Sequence, residues 1–214
     1  MKPLFLIIIF FLFSSCHNEN SQKEFPYNEI TISELRKGYS NGEFTAYDVI
    51  SAYIKRINEI DQSGPKLNSI IEINPDALKI AKQLDVELSS GNIRGKLHGI
   101  PVILKDNIDA ADKMSTTAGS RAMIGSNPLK DSFLVKKLIE SGAVILAKSN
   151  LSEWANFRGN NSSSGWSGVI GQTKNPYFLD RNPCGSSSGS AVAVSANLTS
   201  LAIGTETNGS IVCP

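Results

Sequence analysis

The sequence predicts an α/β fold in which at least part of the sheet is parallel. Helix-period apolar patterns alternate with short continuous apolar runs along residues 45 to 147, the order expected of helix, strand, helix, strand. Gly and Pro fall between those runs and punctuate them. The composition is that of an ordinary globular chain, with 41% apolar and 19% charged residues among 214.

Thr45-Ala46-Tyr47-Asp48 reads as a capping box, with the Thr hydroxyl able to satisfy an orphan N–H at a helix start. Val49, Ile50, Tyr53, Ile54, Ile57 and Ile60 then recur at helical spacing until Gly64-Pro65. Ser69 to Ile73 reads as a short strand. Pro75 opens a second helix, with Ala77, Leu78, Ala81, Leu84 and Leu88 on one face, and Gly91 ends it. Ile100 to Leu104 is an apolar strand. Asp131 to Ser141 is a helix carrying Phe133, Leu134, Leu138 and Ile139, and Ala143 to Ala147 is a buried strand. The first helices, within residues 33 to 63, would form a helical cap on the sheet. Residues 149 to 190 break the pattern: Asn, Ser, Gly and Pro dominate, punctuated by Trp154, Phe157, Trp166 and Tyr177. Long ordered loops of this kind are usually functional. Ala191 to Ser200 is small and apolar and reads as a closely packed buried helix.

Charge and cysteine content narrow the function. Lys and Arg number 21 against 20 Asp and Glu, for a net charge of +1, without the basic surplus a nucleic-acid binder needs. Three Cys and two His are too few for a disulfide scaffold or a zinc ribbon, and no metal ligand set is expected. At the N-terminus, Lys2 precedes an apolar run from Leu4 to Phe13, which is too short to span a bilayer as a helix. Ser14-Ser15-Cys16 follows, and the pattern resembles a bacterial lipoprotein signal in which Cys16 is lipidated. The alternatives are a plain secretory signal with a chance Cys and a membrane-anchoring N-terminus. The expected organisation is a signal over 1–15, a polar tether over 16–29 and a folded domain over 30–214, held at the cell envelope through Cys16.

Three features carry candidate chemistry. Gly99 to Leu104 runs into Lys105-Asp106-Asn107, and a Lys at the end of a buried strand loses solvation and basicity, so that a neutral amine can act as a base. Gly185-Ser186-Ser187-Ser188-Gly189-Ser190 fits the G-x-S-x-G nucleophile elbow by pattern, but no strand-like run precedes it, and His17 and His98 both lie upstream. Gly204-Thr205-Glu206-Thr207-Asn208-Gly209-Ser210-Ile211 can aim successive N–H groups at one oxyanion. Singly, each is ordinary: a snorkelling Lys, a flexible turn, a simple loop.

Together they are more specific. Ser186 follows Lys105 by 81 residues, and Ser210 follows Ser186 by 24. This arrangement resembles the amidase signature family, and the resemblance runs from about residue 30 to Pro214. Lys148 to Asn156, Gly171 to Tyr177 and Gly204 to Pro214 are similar to the bacterial peptide amidases within it. Asn208 stands where the commoner pattern has Gly, and Val212 where many members have Arg.

The resemblance implies a mixed, mostly parallel sheet covered by helices, here truncated, because family members are much longer. It also implies hydrolysis of a carboxamide to acid and ammonia or amine, through an acyl-enzyme and without a cofactor. Ser210 is then the nucleophile, Ser186 the relay on a cis peptide bond, and Lys105 the base. Thr207, Asn208, Gly209 and Ser210 offer oxyanion N–H groups, Ser187 supports the relay, and Asp106 and Asn107 hold the Lys loop. The implied partner is a small-molecule or peptide amide. Two other classes stand beside this: an inactive envelope lipoprotein that only binds, and an amidotransferase-type subunit. Cys184 and Cys213 flank the serine turns, either as a disulfide or as small buried residues, the second being favoured for free Cys in a packed core. Trp154 and Trp166 read equally well as cleft lining or core.

Overall fold

The computed structural model describes residues 25–157 and 159–214. Cys16 and the apolar run before it lie outside the described residues. Helix α1 (Ile32–Asn41) starts at a capping box of Thr31 and Glu34, and α2 (Ala46–Arg56) at the expected box of Thr45 and Asp48. The α2 pattern continues as a wider turn over Ile57–Asp61. Strand β1 (Ile70–Ile73), α3 (Ala77–Ser89), β2 (Pro101–Lys105), α4 (Phe133–Glu140) and β3 (Val144–Ser149) follow close to their expected places. A small hairpin of β4 (Trp166–Ser167) and β5 (Gly171–Gln172) lies within the aromatic-rich loop. Helix α5 (Ser188–Ser195) and β6 (Ala202–Ile203) complete the order.

The main sheet runs β1-β3-β2-β6. Strands β3, β2 and β6 are parallel, and β1 joins β3 antiparallel, so the sheet is mixed and mostly parallel. Its two faces bury different cores. Ile103, Val144, Leu146 and Ala147 pack with α1, α2, α3 and α5, whereas Val102, Leu104 and Ile145 pack with Val135 and Leu138 of α4 and with Met114. Alternation produces this division along β2, and in β3 it is interrupted at Leu146-Ala147, where the register against β2 slips by one residue; with a core on each face, every residue of the two strands is buried.

Three expectations need correction. In α4 only Val135 and Leu138 are buried; Phe133, Leu134 and Ile139, expected on the apolar face, are exposed, because one narrow stripe meets the sheet. The buried helix expected over Ala191 to Ser200 begins earlier, at Ser188, directly after the serine turn. The packed chain also begins before residue 30. Phe25 lies 5.2 Å from the Tyr53 ring and Tyr27 lies 5.2 Å from Phe44, so residues 25–29 belong to the folded body rather than to a tether.

Candidate active site

The C-terminal ends of β2 and β3 set the site. Lys105, the last residue of β2, shares a face with Ile103 and points toward α5. Its side chain is fully buried. Lys105 Nζ lies 2.8 Å from Ser186 Oγ, 3.0 Å from Ser187 Oγ and 3.0 Å from the Thr205 carbonyl. Burial pushes the ammonium down to about 8. Ser186 Oγ lies 2.9 Å from Ser210 Oγ, and the Gly185–Ser186 peptide is cis. Lys105, Ser186 and Ser210 thus form one continuous hydrogen-bonded line, although 105 residues separate its ends in sequence. Ser210 sits at its outer end, where it is 9% exposed.

Ser187 stands beside this line. Its Oγ donates to the Thr205 carbonyl at 3.1 Å and accepts from the Thr205 N–H at 3.2 Å, and its own N–H donates to the Ser210 carbonyl at 3.1 Å. Asn107 Nδ2 reaches Thr205 Oγ1 at 3.0 Å, which ties the strand end to the segment leading to Ser210. Asp106 points to the opposite face of the sheet. There its carboxylate meets Lys148 Nζ at 3.1 Å and accepts from the Thr117 N–H and hydroxyl. Both members of this ion pair are 1% exposed, so each satisfies a charge that the other would leave buried and alone.

Packing fixes the serine turn against β3. Ser149 Oγ meets Ser190 Oγ at 2.8 Å, and Gly189 N–H donates to the Asn150 carbonyl at 2.9 Å. A Cβ on Gly189 would fall 2.4 Å from the Ser69 carbonyl oxygen and 2.5 Å from that of Asn150, so only glycine fits. Asn150 is the hub of the neighbouring loop. Its Nδ2 reaches Thr173 Oγ1 at 2.8 Å and the Gly171 carbonyl at 3.1 Å.

The segment carrying Ser210 engages one of the expected N–H donors, that of Gly209, within the turn itself. The Gly209 N–H donates to Glu206 Oε1 at 2.7 Å, while Glu206 Oε2 accepts from Ile211 and Val212 at 2.7 and 3.2 Å. Those N–H bonds hold the Glu206 carboxyl below its ordinary range. Among the described residues, Glu206 accepts from Gly209, Ile211 and Val212 and not from the N–H groups of Thr207, Asn208 and Ser210. Sequence reasoning missed three residues here: Glu206, Lys148 and Asn150. A carboxylate four residues before Ser210 was the visible signal for Glu206; nothing local marks the other two.

Cys184 and Cys213 form a disulfide, with Cα atoms 5.8 Å apart, and are not the separate buried thiols favoured from sequence. The two serine turns fold against each other and bring the cysteines within disulfide reach. Trp154 is 43% exposed and, with Asn107, Thr117 and Met123, lines a cavity of about 490 Å³ beside the Lys105 loop. Trp166 lines a separate depression of about 330 Å³ with Arg121. Among the described residues no cluster of His, Cys, Asp or Glu is placed to hold a metal.

The family model described as Amidase matches residues 48–214. The chain belongs to the Amidase family. This amidase chain is 57% identical to peptide amidase from Stenotrophomonas maltophilia, with a TM-score of 0.87, covering 89% of this chain and 39% of that one. It is 47% identical over 186 residues to a putative amidase from Schizosaccharomyces pombe, covering 87% of this chain and 31% of the relative. It is 41% identical to one subunit of the glutamyl-tRNA(Gln) amidotransferase of Alkaliphilus metalliredigens, covering 87% of this chain and 36% of the relative. The chain therefore spans about a third of the length of the curated relatives it matches.

Proposed function

We propose that the protein hydrolyses a carboxamide C–N bond, with Ser210 as nucleophile. The observation that carries this reading is the buried Lys105–Ser186–Ser210 line. A serine hydroxyl is a weak nucleophile at neutral pH and needs a base in contact. With Lys105 neutral, the hydroxyl rotors turn so that Ser210 donates to Ser186 and Ser186 donates to the amine. Ser210 Oγ attacks the amide carbon as its proton passes to Ser186 Oγ and the Ser186 proton passes to Lys105 Nζ. Collapse of the tetrahedral adduct expels the amine, which takes a proton back along the same line and leaves an acyl-Ser210. Water then attacks the acyl carbon, and the line serves again as base. The oxyanion has the N–H groups of Thr207, Asn208 and Ser210 within the same turn, and loss of one such donor typically costs about 10²–10³ in kcat.

Similarity to a peptide amidase supports a peptide or small-molecule amide as substrate. The apolar run from Leu4 to Phe13 and the Cys16 that follows support a lipid-anchored place at the cell envelope.

The experiment is mass spectrometry of the purified full chain after treatment with a fluorophosphonate, together with an ammonia assay on simple carboxamides. Label on Ser210, and loss of both label and ammonia release in Ser210→Ala, are the expected results. A Ser210→Ala protein with undiminished turnover would end the assignment. Ammonia release that requires an added amidotransferase partner protein would favour the amidotransferase reading.

A further inference from the structure

The segment carrying Ser210 is the least buried part of the site. Residues 206–208 and 211–213 are exposed, whereas Lys105 and Ser186 are fully buried. Its hydrogen bonds largely close on themselves: Glu206 accepts from Gly209, Ile211 and Val212, and Cys213 N–H donates to the Gly209 carbonyl at 2.9 Å. The bonds that join the Ser210 turn to the serine turn gather at one end, on Ser187 and on the meeting of the two hydroxyls. Segments with little burial and exposed backbone bonds open locally at low free energy. At the other end the connection is covalent. Cys184 lies two residues before Ser186, and Cys213 three residues after Ser210.

We propose that the Cys184–Cys213 disulfide is a positioning cross-link for the relay: it holds the Ser210 turn against the Ser186 turn, and its reduction by a dithiol disengages Ser210. The proposal rests on Ser210 being the nucleophile. Cys213 is exposed, so a dithiol reductant can reach the bond. One reductant thiolate attacks the Cys213 sulfur, breaks the S–S bond and expels the Cys184 thiolate. The reductant's second thiolate then releases Cys213. Two electrons and two protons pass from the dithiol, which becomes a cyclic disulfide, and the protein gains two thiols. The freed segment keeps its internal hydrogen bonds but loses its fixed distance from Ser186. Probe binding in the cleft persists, while attack by Ser210 slows.

The test compares oxidised, dithiothreitol-reduced and reoxidised full chain, with thiols counted by maleimide mass shift and with Cys16→Ala to simplify the count. Reduction should lower the fluorophosphonate acylation rate constant at Ser210 by about tenfold or more, because small misplacements are costly in attack geometry. The half-saturating probe concentration should stay within about twofold. Oxidised glutathione should restore the rate, and the Cys184→Ser/Cys213→Ser protein should be slow with or without reductant. Hydrogen exchange should rise at 204–213 and stay protected in β2 and β3. An unchanged acylation rate in fully reduced protein overturns the proposal. So does loss of β2 and β3 protection on reduction, which would make the cross-link a staple of the whole fold. If the oxidised protein takes no label at Ser210, the nucleophile reading fails instead, and the exchange at 204–213 still decides whether the disulfide holds the turn.

Discussion

Lys105 can be a base only because of where its strand ends. An exposed lysine is protonated at any physiological pH, but complete burial pushes this one to about 8. The proposed relay needs the neutral amine, so kcat/KM should rise through an inflexion near pH 8 and fall roughly tenfold per unit below it. A profile flat between about pH 6 and about pH 9 would remove Lys105 from that role. The same shift has a sign for stability. Between pH 8 and 10.5 the unfolded chain holds a proton that the folded chain has released, so unfolding free energy rises with pH across that window. Glu206 works differently, by shaping the turn. Glu206→Gln replaces one acceptor oxygen with a donor facing N–H groups, and kcat should fall about 10- to 100-fold with KM little changed. Steady-state kinetics beside Glu206→Asp, which keeps the charge, checks this. Undiminished kcat in Glu206→Gln would show that the turn holds without the carboxylate.

At the level of elements, the site depends on two strand ends and one helix start. Strand β2 delivers Lys105 to one face of the sheet and Asp106 to the other, a direct consequence of alternation. The register between β2 and β3 shifts after Val102, which leaves Ser149 on the α5 side and Lys148 opposite Asp106. Helix α5 approaches so closely that Gly189 lies against the backbone carbonyls of Ser69 and Asn150. Gly189→Ala should therefore lower stability by about 3 kcal/mol, the upper end of the usual cost of overpacking, since backbone cannot swing aside as a side chain would. Thermal unfolding measures it, and a Tm loss under about 2 °C would mean that the helix start shifts without cost.

Across the molecule, a disulfide and an export-like N-terminus agree. Disulfides persist in oxidising compartments, and the Cys184–Cys213 pair suits the envelope placement proposed from Leu4 to Cys16. Radiolabelled palmitate should enter the protein in bacteria and should not enter Cys16→Ser. Equal labelling of both would remove the anchor.

What local pattern can encode was readable from the amino acids alone. The capping box at Thr45, apolar periodicity in α2 and α3, and the buried runs of β2 and β3 were legible because helix and strand periods are local properties. Lys105, Ser186 and Ser210 were legible through their order and spacing with their glycine-rich surroundings, which resemble a known family. Packing between distant segments set the rest. The Lys148–Asp106 pair, the Asn150 hub and the Cys184–Cys213 bond join residues 29 or more positions apart, or several loops at once, and no local pattern reports such partners. Glu206 was in plain view, yet a carboxylate in an exposed turn has no assigned partner until the backbone curls its N–H groups around it. The exposed Phe133, Leu134 and Ile139 show the same limit: apolar residues mark which faces can be buried, and only packing selects the stripe that is.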